Sequence, residues 1–155
     1  MPKIYTNNML VQKLQRLYYF IVIPALLLIV FFFVSERLNK HYSAEEAGRL
    51  MSTAIMVFAA ITSAILPAWY KILLIKKYRD KKKISFENFA AVQYRIIIAV
   101  GFSIYWIFPA YLYGLAEMPM IITAFFALYG LYYYYPSKKR IEAEKKTFKI
   151  DDDYE

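Results

Sequence analysis

Four stretches of the chain carry no charged side chain for about twenty residues each: 17–35, 50–70, 96–116 and 118–137. At 1.5 Å of rise per residue, even the shortest makes a helix of about 28 Å, close to the hydrocarbon thickness of a bilayer. Polar and charged residues gather in the segments between them. This pattern predicts an all-α fold, an integral membrane bundle of four transmembrane helices forming one membrane domain over 1–155. Its expected parts are a cytoplasmic amino-terminal segment 1–16, a first span 17–35 and an external loop 36–49. A second span 50–75, a basic cytoplasmic loop 76–93 and a third span 94–116 follow. An external turn 117–118, a fourth span 119–135 and a cytoplasmic tail 136–155 complete the chain. Leu10, Leu14 and Leu17 fall at helical spacing and predict a short lead-in helix before the first span.

Local signals refine the pattern. Pro24, Pro67 and Pro109 lie inside apolar runs. Spans tolerate proline because neighbours and local adjustments satisfy the freed carbonyl, so a bend is expected at each. Ser43-Ala44-Glu45-Glu46 reads as a capping box at the start of the second helix. Ser85 is a good N-cap for the third, with Glu87 in its first turn. Gly114 suits a left-handed cap and Pro119 the first position of the fourth helix. Residues 137–148 can form a short amphiphilic helix, followed by the acidic tail of Asp151, Asp152 and Asp153. The first apolar run is followed by Ser35-Glu36-Arg37-Leu38-Asn39 without a small-x-small cleavage site, which reads as a retained span.

Charge supplies the orientation. Six of the eight residues at 76–83 are basic: Lys76, Lys77, Arg79, Lys81, Lys82 and Lys83. With four spans, the termini, this central loop and the adjoining span ends at Lys71 and Arg95 share one side and hold 17 of the 20 lysines and arginines, leaving Arg37, Lys40 and Arg49 opposite. The positive-inside rule then gives an N-in/C-in topology, as in a bacterial cytoplasmic membrane. The net charge of +8 does not point to nucleic acid. The excess lies mainly beside apolar runs, where anionic headgroups attract it, and no recognition motif accompanies it. Lys76, Lys77, Arg79, Lys81, Lys82, Lys83 and Arg95 are therefore expected to contact anionic lipid or an acidic partner. Lys71 and Arg95 read as snorkelling anchors.

Composition adds two features. Hydrophobic residues make up 60% of the chain, against nearer half in soluble domains, and sixteen tyrosines and twelve phenylalanines enrich it in rings. Trp69, Tyr70, Tyr132, Tyr133, Tyr134 and Tyr135 stand near run ends, where amphipathic rings anchor at the headgroups, and Trp106 is expected as an anchor with the rings that gather toward the opposite interface. Ala60, Ala64 and Ala68 repeat every four residues beside Ala59 and Ser63, while Ser103 and Ala127 continue small-residue pairs on later helices. Such spacing lets helices approach closely.

Candidate chemistry is sparse. There is no cysteine, which excludes disulfides and thiol catalysis. No ionisable residue falls in the middle of an apolar run, where transport or catalysis would place one. His41 is the single histidine and reads as a solvated loop residue without a second histidine for a metal. Glu117 reads as solvated. Tyr105, Trp106, Tyr111 and Tyr113 can line a lipid or quinone pocket, with an interfacial belt as the commoner explanation. Size and span count are shared with small multidrug transporters, but those carry a glutamate in their first span and 17–35 has no acid. No catalytic, cofactor or metal residue is assigned. The expectation is a non-enzymatic accessory, assembly or scaffold subunit, in contact with a membrane-protein partner or a second copy and with anionic lipids. A small oligomeric transporter or lipid-carrier translocase is the alternative.

Overall fold

The computed structural model describes residues 7–38, 48–78, 84–148 and 150. These form five helices and no strand, apart from an isolated parallel bridge between Ile84 and Ile150. Helix α1 is Asn7–Leu38. Helix α2 covers 49–78 and changes type along its length: α-helical at Arg49–Ala60, π-helical at Ile61–Ile65, and α-helical again at Leu66–Tyr78. Helix α3 covers 86–112, with Phe86–Ser103 α-helical, a 3₁₀ turn at Ile104–Trp106, and Ile107–Leu112 α-helical. Helix α4 is Glu117–Tyr133 and helix α5 is Lys138–Thr147. Helices α1, α2 and α3 are each long and apolar enough to cross a membrane. Helix α4 is apolar but has 17 residues, about 26 Å of rise.

The expected lead-in helix and first span are one element. Leu10, Leu14, Tyr18, Val22 and Ala25 are all buried and repeat every three or four residues, so one stripe runs along α1 across both. The α-helix continues unbroken through Pro24. The other two prolines coincide with changes of helix type. Pro67 lacks an N–H for the carbonyl of Ser63 and its ring crowds that carbonyl, and Ser63 lies inside the π segment, which ends two residues before the proline. Pro109 bears in the same way on Tyr105, which sits in the 3₁₀ turn.

Helix ends follow backbone chemistry more closely than side-chain capping. Gly114 has φ 57°, the left-handed cap that its lack of a Cβ allows. The Leu115 amide donates to the Ala110 carbonyl and the Gly114 amide to the Tyr111 carbonyl, both at 3.0 Å, which closes α3 in a Schellman motif. Ser85 does stand at the N-cap of α3, but its hydroxyl accepts from the Asn88 side chain instead of capping an amide. Pro119 is the third residue of α4, not the first, and its missing N–H still falls among the four amides without an intrahelical partner. Ser137 caps α5, accepting from the Arg140 amide at 3.2 Å. The capping box at 43–46, His41, the acidic tail and residues 79–83 lie outside the described residues.

Helix α3 is the hub. It packs against α1 along one side and against α2 and α4 along others, while α5 lies across the end of α1. Of the most apolar stretch of α3, 39% is buried, against 22% in α1, which places α3 inside and α1 at the periphery. One core joins Leu10, Leu14, Tyr18 and Val22 of α1 to Phe89, Ile96, Ile97, Val100 and Ile104 of α3. Leu74, Leu131, Tyr134 and Ile141 close it at the α5 end. A smaller cluster of Ile55, Ala110 and Leu115 lies at the opposite end.

Small residues set two close approaches. A Cβ added to Gly101 would stand 2.7 Å from Ile21 Cγ2, so α1 and α3 nearly touch there. A Cβ on Gly130 would stand 2.9 Å from Ser63 Cβ and 3.2 Å from Ser63 Cα, so α4 meets the backbone of α2 inside its π segment. Backbone cannot yield as a flexible side chain can. Gly130→Ala is therefore expected to cost about 1–3 kcal/mol by overpacking. Gly48→Ala, where the added methyl meets open space, should cost less than about 1 kcal/mol. Thermal unfolding of the two variants in the same detergent checks the contrast.

Candidate functional site

Polar chemistry concentrates where α5 crosses the ends of α2 and α3. Glu144 of α5 is 14% exposed at its side chain and its carboxylate receives three donors. Lys71 Nζ of α2 lies 2.7 Å from Oε1, Arg140 Nε donates to the same oxygen at 3.1 Å, and Gln93 Nε2 of α3 donates to Oε2. Arg140 also reaches Gln93 Oε1 through Nη2 at 2.8 Å, and through Nη1 the carbonyls of Tyr134 and Tyr135 where α4 ends. The Tyr134 ring lies beneath both cations, with Lys71 Nζ 5.1 Å and the Arg140 guanidinium carbon 5.3 Å from its centroid. One carboxylate thus fastens the ends of α2, α3 and α4 to α5.

Local sequence places these groups. Arg140 and Glu144 are four residues apart and share a face of α5. Ile141 and Lys145 are buried on the side that packs inward, with the Lys145 ammonium 5.4 Å from the Phe86 ring centroid. Gln93 interrupts the apolar inner face of α3, one turn before Ile96 and Ile97, and is 1% exposed. A second polar seam joins α1 to the chain after α4. Gln15 Nε2 donates to the Pro136 carbonyl at 3.2 Å, the Tyr18 hydroxyl to the Leu131 carbonyl at 3.3 Å, and the Tyr19 and Tyr135 hydroxyls share a hydrogen bond of 2.8 Å.

Burial alone would push the Glu144 carboxyl upward. Arg140, Lys71 and Gln93 more than reverse that and hold it below the ordinary carboxylate value of 4.5. At neutral pH it is a fixed anion, suited to anchoring helices and poorly suited to carrying protons.

The interior hydroxyls are turned onto their own helices. Thr62 donates to the Phe58 carbonyl at 2.9 Å, Ser103 to Val100 at 2.6 Å and Thr123 to Pro119 at 2.8 Å. Beside them, α2 and α3 leave a groove of about 550 Å³. Thr62, Leu66 and Tyr70 form one wall, Phe102 and Trp106 the other, and Arg95 stands at one end. Among the described residues, no group of three or more acidic or histidine side chains could hold a metal ion.

The residues singled out from the sequence divide among several settings. Lys76, Lys77 and Arg95 are exposed, while Arg79, Lys81, Lys82 and Lys83 lie outside the described residues. Ser63, Ser103 and Ala127 are buried, Ala60 and Ala64 half-buried, and Ala68 exposed. The buried line on α2 runs through Ala59 and Ser63. Trp69, Tyr132 and Tyr133 are exposed, Tyr70 and Tyr135 half-buried, and Tyr134 is enclosed under Lys71 and Arg140. Trp106 stacks on Phe58 with centroids 5.1 Å apart. Of the four suggested pocket rings, Tyr105 and Trp106 line the groove and Tyr111 and Tyr113 do not. The ammonium of Lys71, expected as a snorkelling anchor, is paired with Glu144. The Glu144 cluster was the missed site. Its visible signals were the Arg140–Glu144 spacing and the lone amide of Gln93 in an apolar face.

Removing the carboxylate leaves two partly buried cations facing each other. Glu144→Ala is expected to cost about 3 kcal/mol, and Glu144→Gln less, because its amide oxygen still accepts one donor. The folded-state pKa lies below the unfolded one, so protonation favours the unfolded chain. The contribution is complete above the ordinary carboxylate value and is lost as pH falls through the folded value. Unfolding midpoints measured from neutral pH downward should show this acid loss, and Glu144→Gln should flatten it. No protein-family model, curated protein or solved structure matches the chain.

Proposed function

We propose that the chain is a four-span membrane protein with both termini on the cytoplasmic side, acting as a non-enzymatic accessory, assembly or scaffold subunit of a membrane complex. The observation that carries this reading is the division of surfaces. Buried polar groups join helices at Glu144 and where the Tyr18 hydroxyl meets the Leu131 carbonyl, while large apolar side chains face outward. Phe20, Leu27 and Phe31 on α1 and Ile121, Phe125 and Leu128 on α4 are each at least 59% exposed. Lipid and a neighbouring membrane helix are both suitable covers for such faces. Phe125, Tyr129 and Tyr133 stack in sequence along one exposed edge of α4, a rigid apolar ridge for contact. In this reading α4 is the fourth span. Its charge-free run begins at Met118 and continues past the helix end to Ser137, so a slight local thinning of the bilayer accommodates it.

A transporter or lipid-carrier translocase is the second reading, favoured by the groove between α2 and α3. The two differ in what stays bound. Native mass spectrometry after gentle extraction is expected to show a stoichiometric foreign membrane protein; a monomer carrying only lipid would count against the subunit reading. Topology is tested separately, and the absence of native cysteine makes single-cysteine labelling clean. Lys82→Cys should react with an impermeant maleimide only from the cytoplasmic side and Tyr42→Cys only from the outside. The reverse pattern would overturn the orientation, and labelling of both from one side would show that α2 does not cross and sink the four-span assignment.

A further inference from the structure

The groove between α2 and α3 has a chemistry distinct from the rest of the outer surface. Its walls are mainly apolar, and two of the three hydroxyls within them are already committed. Thr62 donates to its own helix, and Tyr105 donates to the Ile21 carbonyl at 3.0 Å. Arg95, exposed at one end, makes no hydrogen bond or ion pair among the described residues. A guanidinium with free donors at the mouth of an apolar channel matches one kind of occupant, a hydrocarbon chain ending in a phosphate. The dimensions agree. From Arg95 to Pro109, both in the lining, α3 rises about 21 Å, longer than the roughly 15 Å of one leaflet. The volume of about 550 Å³ is that of a ligand site, not of a packing defect. The π segment contributes one wall: Thr62 lies inside it, and Leu66 and Tyr70 follow at four-residue steps.

We infer that this groove is a binding site for one anionic phospholipid, with an acyl chain laid along Thr62, Leu66, Phe102 and Trp106 and the phosphate held by Arg95. The inference rests on the membrane reading of the apolar helices and goes beyond the subunit proposal. Diffuse attraction of headgroups to the basic segment 76–83 would enrich anionic lipid around the protein generally. A built site instead enriches it beside Trp106.

The full chain carries two tryptophans, and Trp69→Phe leaves Trp106 as the single reporter in the groove wall. The test reconstitutes this variant in bilayers containing equal fractions of brominated phosphatidylglycerol or brominated phosphatidylcholine and compares the quenching. Phosphatidylglycerol is expected to be preferred about fivefold, as one basic contact near a charged surface supplies. Arg95→Gln should bring the ratio close to one, whereas Lys76→Gln with Lys77→Gln should leave it largely intact. Ile98→Phe, which fills the groove from its exposed rim, should lower quenching by both lipids while preserving the unfolding midpoint. Equal quenching by the two lipids in the parent, or a preference that survives Arg95→Gln, would overturn the site. If neither lipid quenches Trp106, the membrane reading falls with it.

Discussion

A carboxylate withdrawn from water must be matched by donors, and that requirement governs the end of the molecule where α5 lies. Glu144 is held by Lys71 from α2, Gln93 from α3 and Arg140 from its own helix. Each donor fixes the axial position of the helix that carries it. Apolar packing alone is non-directional and permits neighbouring helices to slide by a turn. The carboxylate removes that freedom, because the charge would otherwise be left buried without compensation. Tyr134, under both cations, brings the end of α4 into the same arrangement.

The opposite end is held by different means. There the contacts are apolar and aromatic, with Ile55, Ala110 and Leu115 clustered and Phe58 stacked on Trp106. Between the two ends, α2 and α4 are brought together by Ser63 and Gly130 at backbone distance. Where α2 and α3 instead diverge, the groove opens, with Arg95 at one end. The polar clamp and the groove both use the α5-proximal half of α2, Lys71 for one and Leu66 and Tyr70 for the other. The two features are thus mechanically joined through a single turn of helix.

Much of the fold was legible because long apolar runs admit few structures. The three long helices follow from charge-free length, the left-handed residue from Gly114, and the short polar helix from the mixed charge of 137–148. What escaped was long-range pairing. Lys71 beside Trp69 and Tyr70 has the local signature of an anchor, and nothing nearby reveals that Glu144, 73 residues on, will meet it. Two small-residue lines were visible, Ala60 with Ala64 and Ala68, and Ala59 with Ser63, and it is the second that is buried. Spacing alone does not choose between two adjacent lines on one helix. The groove was half legible: Tyr105 and Trp106 stood out as rings, but Arg95 had no visible tie to them.

The π turn gives α2 two independently phased halves. A helix of uniform 3.6-residue turns has one azimuth, so any residue that faces correctly at one end dictates what faces inward at the other. Accommodating an extra residue within 61–65 offsets the two halves by about 100°. In a regular helix Leu74 would stand about 100° from the azimuth of Ile55; with the extra residue absorbed, Ile55, Ala59 and Leu74 share one buried side. In coding terms 61–65 holds one residue more than a regular α-helix would need there. Losing one codon there would leave the composition and hydropathy of the helix nearly unchanged. It would nevertheless rotate the ammonium of Lys71 away from its carboxylate.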